Sequence, residues 1–365
     1  MADERTLTIA LNTLPHLRAA IARDAYERFG SAAGILAAPP DALRSLRGFG
    51  PALAAAVRDL DAPRAGEREQ RDAERLGMRI LTLADPGYPA RLRTIPDPPR
   101  VLYRLGSFEP ADDAGIAVVG ARACTVYGKT VAERLGRELG AAGVTVVSGL
   151  ARGIDGCAHR GALAAGGRTL AVLGAGLDRL YPPEHRGLAA EICTHGALFS
   201  EFPLGAAPEP WHFPLRNRVI SGLARGVVVV EAAVRSGALG TADMALEQAR
   251  EVFAVPGPVT APTSAGTNRL IRQGAGLVEG ARDVLEAFPD LAGRLPGGAA
   301  AGGADAAPLT DAERRLLAAL GAGPLPIDEI IRAGAAGATE TAALLTGLEI
   351  RGLVRQHPGK IFARV

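Results

Sequence analysis

Between residues 115 and 290 the sequence repeats one pattern: a short apolar, largely β-branched run that ends in glycine or a small polar residue. The runs are GIAVVG, VTVVSG, RTLAVLG, GALFSE, GVVVVEA and REVFAVPG, and helical stretches separate most of them. A strand with almost no polar alternation must be buried on both faces. A mostly parallel sheet with helices on both sides provides that environment. The predicted fold class is therefore α/β: a Rossmann-like, doubly wound, mostly parallel sheet. Its binding crevice is expected outside the carboxyl ends of the strands.

At 365 residues the chain is long enough for two or three domains. Residues 1–75 carry apolar residues at helical spacing and read as a helical domain. Within it, Gly48-Phe49-Gly50 separates two short helices, with Arg44 and Arg47 just before the turn. That is the pattern of a helix-hairpin-helix, whose turn can bring N–H groups to a phosphate. The alternative is a helical turn that only packs. Residues 76–114 form an extended β segment rich in proline, with the strands MRILTL and VLYRL. Residues 291–307 are a flexible Gly/Ala linker. Residues 308–365 then resemble a winged helix: three helices, the first opened by a capping box of Thr310 and Glu313, and a terminal hairpin.

Net charge is +2, and residues 106–290 hold 17 basic and 19 acidic groups. Any polyanion site there must be a local cluster of cations and not a general field. Cys124, Cys157 and Cys193 are far apart and show no metal-ligand spacing. Structural zinc and a disulfide scaffold are thereby disfavoured. The first residues lack a signal-peptide core, and no apolar run approaches the ~20 residues of a membrane span. A cytoplasmic protein with no membrane contact is expected.

The chemistry is expected at the strand ends. After the first strand, Gly120 permits a sharp turn, and Arg122 stands in the crevice with a guanidinium suited to phosphate. The second strand end, SGLARGID, supplies Ser148, Gly149, Arg152 and Gly153 at a helix start, where N–H groups can face an anion. Asp155 is read as a brace for this loop, and His159 as a packed histidine. WHFPLRNR then places Trp211, His212 and Phe213 in a proline-punctuated loop beside Arg216, Asn217 and Arg218. Aromatic rings next to arginines make a base-stacking and backbone-neutralising unit. Trp211 is equally readable as a buried anchor. The last strand end offers Ser236, Gly237, Gly240 and Thr241 as small donors.

Taken in order, GARACTVYG, SGLARGID, SEFPLG, FPLRNRVISGL, VVVVEA-x₃-SGALGTA and VFAVPG resemble the DNA-processing protein A (DprA/Smf) family. The upstream YPxxL…IPDPPxVLY segment also fits. The resemblance implies single-stranded DNA binding, a homodimer through the Rossmann-like domain, loading of the RecA recombinase and a role in natural transformation. It places Arg122, the Ser148–Gly153 loop, Phe213, Arg216, Asn217 and Arg218 in the DNA pocket. One departure is Ala121, where the family motif usually has serine. No cofactor, metal or catalytic residue is expected.

Three enzyme classes have partial motifs in the chain. Ala123–Thr130 imitates a P-loop, but alanine replaces the leading glycine and the strand ends too early. SGALGT resembles the motif of lysine-decarboxylase-like phosphoribohydrolases, yet their catalytic glutamate falls on Met244, and Asp243 points about 100° away around a helix. A nicotinamide dehydrogenase is weaker still, because Gly174–Arg179 lacks the third glycine of its phosphate loop.

Overall fold

The computed structural model describes residues 2–15, 17–294, 309–333, 337–350, 353–357 and 359–364. Six helices come first: α1 (Glu4–Asn12), α2 (Ala19–Phe29), α3 (Ala32–Ala37), α4 (Pro40–Arg44), α5 (Pro51–Arg58) and α6 (Ala62–Arg75). Leu11, Ala25, Ile35, Leu43, Phe49 and Val57 form their own core. The Gly48-Phe49-Gly50 turn does join α4 to α5, with Gly48 at φ +83°. Phe49 is buried, and the N–H groups of Phe49 and Gly50 bond to Leu46 and Gly48 carbonyls. The packing explanation of this turn is the better supported one.

The extended segment supplies β1 (Arg79–Thr82), the short helix α7 (Ala90–Arg93) and β2 (Val101–Gly106). The alternating region follows: β3 (Ile116–Val119), α8 (Val126–Ala141), β4 (Val146–Ser148), α9 (Ile154–Ala164), β5 (Thr169–Val172), α10 (Arg186–His195) and β6 (Gly196–Ser200). It continues through α11 (His212–Leu223), β7 (Gly226–Val229), α12 (Gly237–Glu247), β8 (Glu251–Ala254), α13 (Ala265–Arg272), β9 (Gly276–Leu277) and α14 (Ala281–Glu286).

These strands make one nine-stranded sheet in the order β1-β2-β6-β5-β4-β3-β7-β8-β9. Its pairings from β6 to β9 are all parallel, whereas β1 and β2 add an antiparallel margin with Tyr103 opposite Ser200. The residues of β3, β4, β5 and β7 are buried throughout. Each buried valine or leucine contributes about 1.5–3 kcal/mol of burial. One core lies between the sheet and α11 and α12, another between the sheet and α8, α9 and α14. Strand order reverses at β3, which opens a crevice above the ends of β3, β4 and β7.

The structure departs from the sequence reading in three places. Trp211–Arg218 is not a loop, because α11 already begins at His212. Pro214 occupies the first helical turn, where a missing N–H breaks no intrahelical bond. The two-residue strand β9 and helix α7 were not expected. Leu291 belongs to the sheet-domain core and not to the linker, most of which lies outside the described residues.

The C-terminal unit is the winged helix the sequence suggested. It comprises α15 (Asp311–Ala319), β10 (Leu325–Pro326), α16 (Ile327–Arg332), α17 (Ala338–Ile350), β11 (Val354–His357) and β12 (Ile361–Arg364). Its strands run β10-β12-β11 around a separate core that includes Leu316, Ile330, Leu345 and Phe362. The Thr310–Glu313 capping box is formed in both directions.

Candidate nucleic-acid interface

Two carboxylates fix the loops that border the crevice. Glu231, just past β7, is 2% exposed. Its carboxylate accepts from Thr125 N and Oγ1 at 2.8 and 2.5 Å, anchoring the start of α8. Its backbone oxygen accepts from Ala121 N. Thr125 in turn caps α8 by accepting from Gly128 N. Asp155, in the first turn of α9, accepts from Gly149 N at 3.1 Å and Ala151 N at 3.3 Å. It braces the loop as expected. The bracing also occupies two N–H groups of the Ser148–Gly153 loop, which are therefore not free for an anion.

Between these loops lies a small pocket lined by Arg122, Gly149, Arg152, Tyr181, Phe213 and Arg216, among others. The side chains arrive from four parts of the fold: Arg122 after β3, Arg152 after β4, Tyr181 after β5, and Phe213 and Arg216 from α11. Phe213 and Arg216 are three apart on the helix and so share a face. Arg216 is 4% exposed, and its Nε and Nη1 are buried without a hydrogen-bond partner. Burial pulls its guanidinium down to about 10, against the pull of the nearby Asp155 carboxylate. A buried guanidinium with open donors is costly unless an anion completes it. Gly149 makes its position possible, since a Cβ there would coincide with Arg216 Nη1.

The rings are covered by the protein's own cations. The Arg122 guanidinium stands 4.6 Å from the Phe213 ring centre, and Arg152 stands 5.6 Å from that of Tyr181. The two rings are 5.8 Å apart at 51°. Arg152 also pairs with Glu184 and donates to the Tyr181 hydroxyl at 3.3 Å. The remaining space is about 10 Å³, little more than one water. A base can enter only if Arg122 or Arg152 swings off its ring.

Of the residues read from the sequence, Arg122, Gly149, Arg152, Phe213 and Arg216 converge on this pocket. The others do not line it. Arg218 is a correction: it points away, buried in an ion pair with Glu201 at 2.6 Å and beside Asp97 at 3.5 Å. Each step along a helix turns by about 100°, so Arg216 and Arg218, two residues apart, point to nearly opposite sides. The Ser148 hydroxyl is fully buried and donates to Val118 O at 2.6 Å. Gly120 is required by packing, since a Cβ would press on Ile154 and on Glu231 O. Gly153 adopts φ +76° to start α9. Asn217 donates to Gly237 O at 3.3 Å, and Ser236 caps α12 by accepting from Ala238 N. Thr241 is buried in α12. Sequence reasoning missed Tyr181 and Glu184. The available signal was an aromatic residue held between a strand end and two prolines.

His159 is the packed histidine that was expected. It is fully buried, with Nδ1 2.7 Å from Thr169 Oγ1. The Thr169 hydroxyl donates to Val146 O, so Nδ1–H donates to Thr169. Burial depresses the imidazole from 6.5 to about 3 and keeps it neutral. Among the described residues no group of His, Cys, Asp or Glu is gathered to hold a metal, and no helix is long and apolar enough to cross a membrane.

The chain matches the family model of DNA recombination-mediator protein A over residues 79–289 and that of the DprA winged helix domain over residues 300–360. It is 43% identical to the DNA processing protein DprA of Bacillus subtilis over 215 residues, which are 59% of this chain and 72% of that one. It is 38% identical to protein Smf of Synechocystis over 318 residues, 78% of this chain and 80% of that one. Its fold superposes on DNA processing protein A from Streptococcus pneumoniae with a TM-score of 0.66 and 34% identity, covering 78% of this chain and 96% of the other. The Helicobacter pylori protein, whose structure concerns its single-stranded DNA binding mode, gives a TM-score of 0.53 at 28% identity over 58% of this chain and 96% of that one.

Proposed function

Because this chain belongs to the DNA processing protein A family, we propose that it binds single-stranded DNA in the crevice pocket and acts as a recombination mediator, not as an enzyme. The observation that carries the reading is the buried, incompletely partnered Arg216 beside the Phe213 and Tyr181 rings. Arg216 takes a phosphate, and Arg122 and Arg152 neutralise its neighbours. Bases stack on the rings that these two arginines vacate. Stacking on ring faces demands unpaired bases, which selects single strands over duplex. The acid–base groups around the crevice already hold structural positions: Glu231 anchors the Thr125 cap of α8, Asp155 braces a loop, and His159 is packed behind Thr169. That arrangement supports binding over catalysis.

Loading of RecA recombinase onto the bound strand, a homodimer through the Rossmann-like domain and service in natural transformation complete the proposal. The test is fluorescence polarisation with labelled oligo-dT and with blunt duplex, without added metal or nucleotide. Clear preference for oligo-dT is expected. Equal affinity for the two would overturn the reading.

A further inference from the structure

A cavity much larger than the crevice pocket lies elsewhere. It measures about 370 Å³ and lies where the helical domain leans on the sheet domain. Its walls are the α1–α2 connection, the stretch Pro99–Val101, the segment 201–206 and the start of α11. Two cations border it. The Arg18 guanidinium stands 4.8 Å from the Trp211 ring centre, and Arg100 stands 4.1 Å from that of Tyr26. Among the described residues, neither is joined to a carboxylate. Glu201 lines the cavity too. Its carboxylate is turned to Arg218, which Oε2 holds at 2.6 Å.

These features ask for different parts of one ligand. Free guanidinium donors ask for an anion. The exposed faces of guanidiniums already stacked on rings ask for a planar group, since arginine planes stack on bases. Inorganic phosphate would leave the planes unused. An apolar ligand would leave the cations unused. A divalent cation would be repelled by both arginines. The volume falls within the ~300–1,000 Å³ of small-molecule sites.

We propose that this cavity is a second nucleotide-binding site, taking a base against the Arg18–Trp211 stack and its phosphate on Arg18 and Arg100. The nucleotide is either free or the next part of a strand already held in the crevice pocket. Helix α11 separates the two sites: Trp211, His212 and Leu215 face the cavity, while Phe213 and Arg216 face the pocket. His212 Nδ1 is 3.1 Å from Gly174 O, and Gly174 abuts Phe213, so the walls are continuous. Only the strand as the source of the nucleotide rests on the proposed function. The chemistry of the cavity does not.

Trp211 is the chain's single tryptophan, so its emission reports this site. The full-length protein is titrated with dTMP, with AMP and with a long oligo-dT, and oligo-dT binding is followed in parallel by polarisation. A saturable change in Trp211 emission is expected. A response to the mononucleotides marks a free ligand, and a response to the long oligomer alone marks the strand. The double variant Arg18→Ala, Arg100→Ala should move the midpoint of that titration by roughly tenfold or more. Arg18→Lys with Arg100→Lys keeps the charge, loses the planes and should restore little of it. Silent emission with all three ligands overturns the site, as does an unchanged midpoint in the alanine double variant. If oligo-dT binds by polarisation and needs Phe213 while Trp211 emission stays silent with all three ligands, the second site fails and the proposed function stands. If a mononucleotide saturates Trp211 while oligo-dT does not bind, the second site stands and the proposed function fails.

Discussion

Replacing Arg122 and, separately, Phe213 by alanine divides charge from stacking in the crevice pocket, because the two side chains lie on one another at 4.6 Å. A base can reach the Phe213 ring only after Arg122 leaves it. Removing Arg122 therefore deletes a phosphate contact and also a competitor for the ring. The first effect depends on salt. One neutralised phosphate on a single strand contributes about 0.7 to the log–log slope, which is roughly fivefold in affinity near 0.1 M salt and almost nothing near 1 M. The second effect depends on salt much less. An exposed cation–π contact is ~0.5–1 kcal/mol, so an uncovered ring returns roughly twofold to fivefold. Arg122→Ala should thus bind at most a few-fold weaker at low salt and should equal or exceed the wild type at high salt. Phe213→Ala should lose ~1–3 kcal/mol at every salt, with its slope unchanged. The assay is polarisation of labelled oligo-dT across a salt series. With Arg122, Arg152 and Arg216 as the neutralising groups, the wild-type slope should be about −2 per protomer. Parallel lines for wild type and Arg122→Ala would refute the phosphate contact. Unchanged affinity in a folded Phe213→Ala would refute stacking.

Glu184→Gln releases Arg152 from its ion pair and should tighten oligo-dT binding while leaving the salt slope at about −2, since Arg152 already counts among the neutralising groups; unchanged affinity would count against Arg152 as a phosphate ligand. Gly149→Ala drives the new methyl into the Arg216 guanidinium, so binding should fall at least tenfold in a protein with an unaltered circular dichroism spectrum; wild-type affinity would show that Arg216 is not a ligand. His159 is held neutral with its proton affinity depressed from 6.5 to about 3, so its contribution to stability is complete above pH 6.5 and is lost as pH falls towards 3. Denaturant midpoints of wild type minus His159→Leu should therefore decline between pH 6.5 and 5, and a flat difference would contradict that. Removing residues 300–365 should leave a folded protein that still binds oligo-dT, because the winged helix has its own core; loss of binding by the folded truncation would put the tail in the DNA site.

The sheet was legible because its signal is local. Val119 is followed by Gly120, so both the end of β3 and the loss of the P-loop could be read directly. The capping box at Thr310 was equally plain. What escaped depends on partners distant in sequence. Nothing near Arg218 announces that Glu201 and Asp97 will bury it, and nothing near Arg152 announces Glu184. Proline and aromatic residues made the start of α11 look like a loop, since the tolerance of proline in a first helical turn leaves no mark on its neighbours. The pocket residues could be named one by one, but not the way Gly149 yields its space to Arg216.

On the ribosome, the β1–β2 ribbon emerges long before the strand it needs. Tyr103 and Leu105 pair with Ser200 and Leu198 on β6. At the usual ~5–20 residues per second, those partners follow on the order of 5–20 s later. The helical head has its own core and can close in that interval. Val101, Leu102 and Tyr103, all buried in the finished protein, meanwhile stand in water beside an unpaired backbone edge. The nascent chain thus passes through a stage with a folded head and a bare, sticky ribbon, and that stage is where chaperones are needed and where two growing copies are able to mispair.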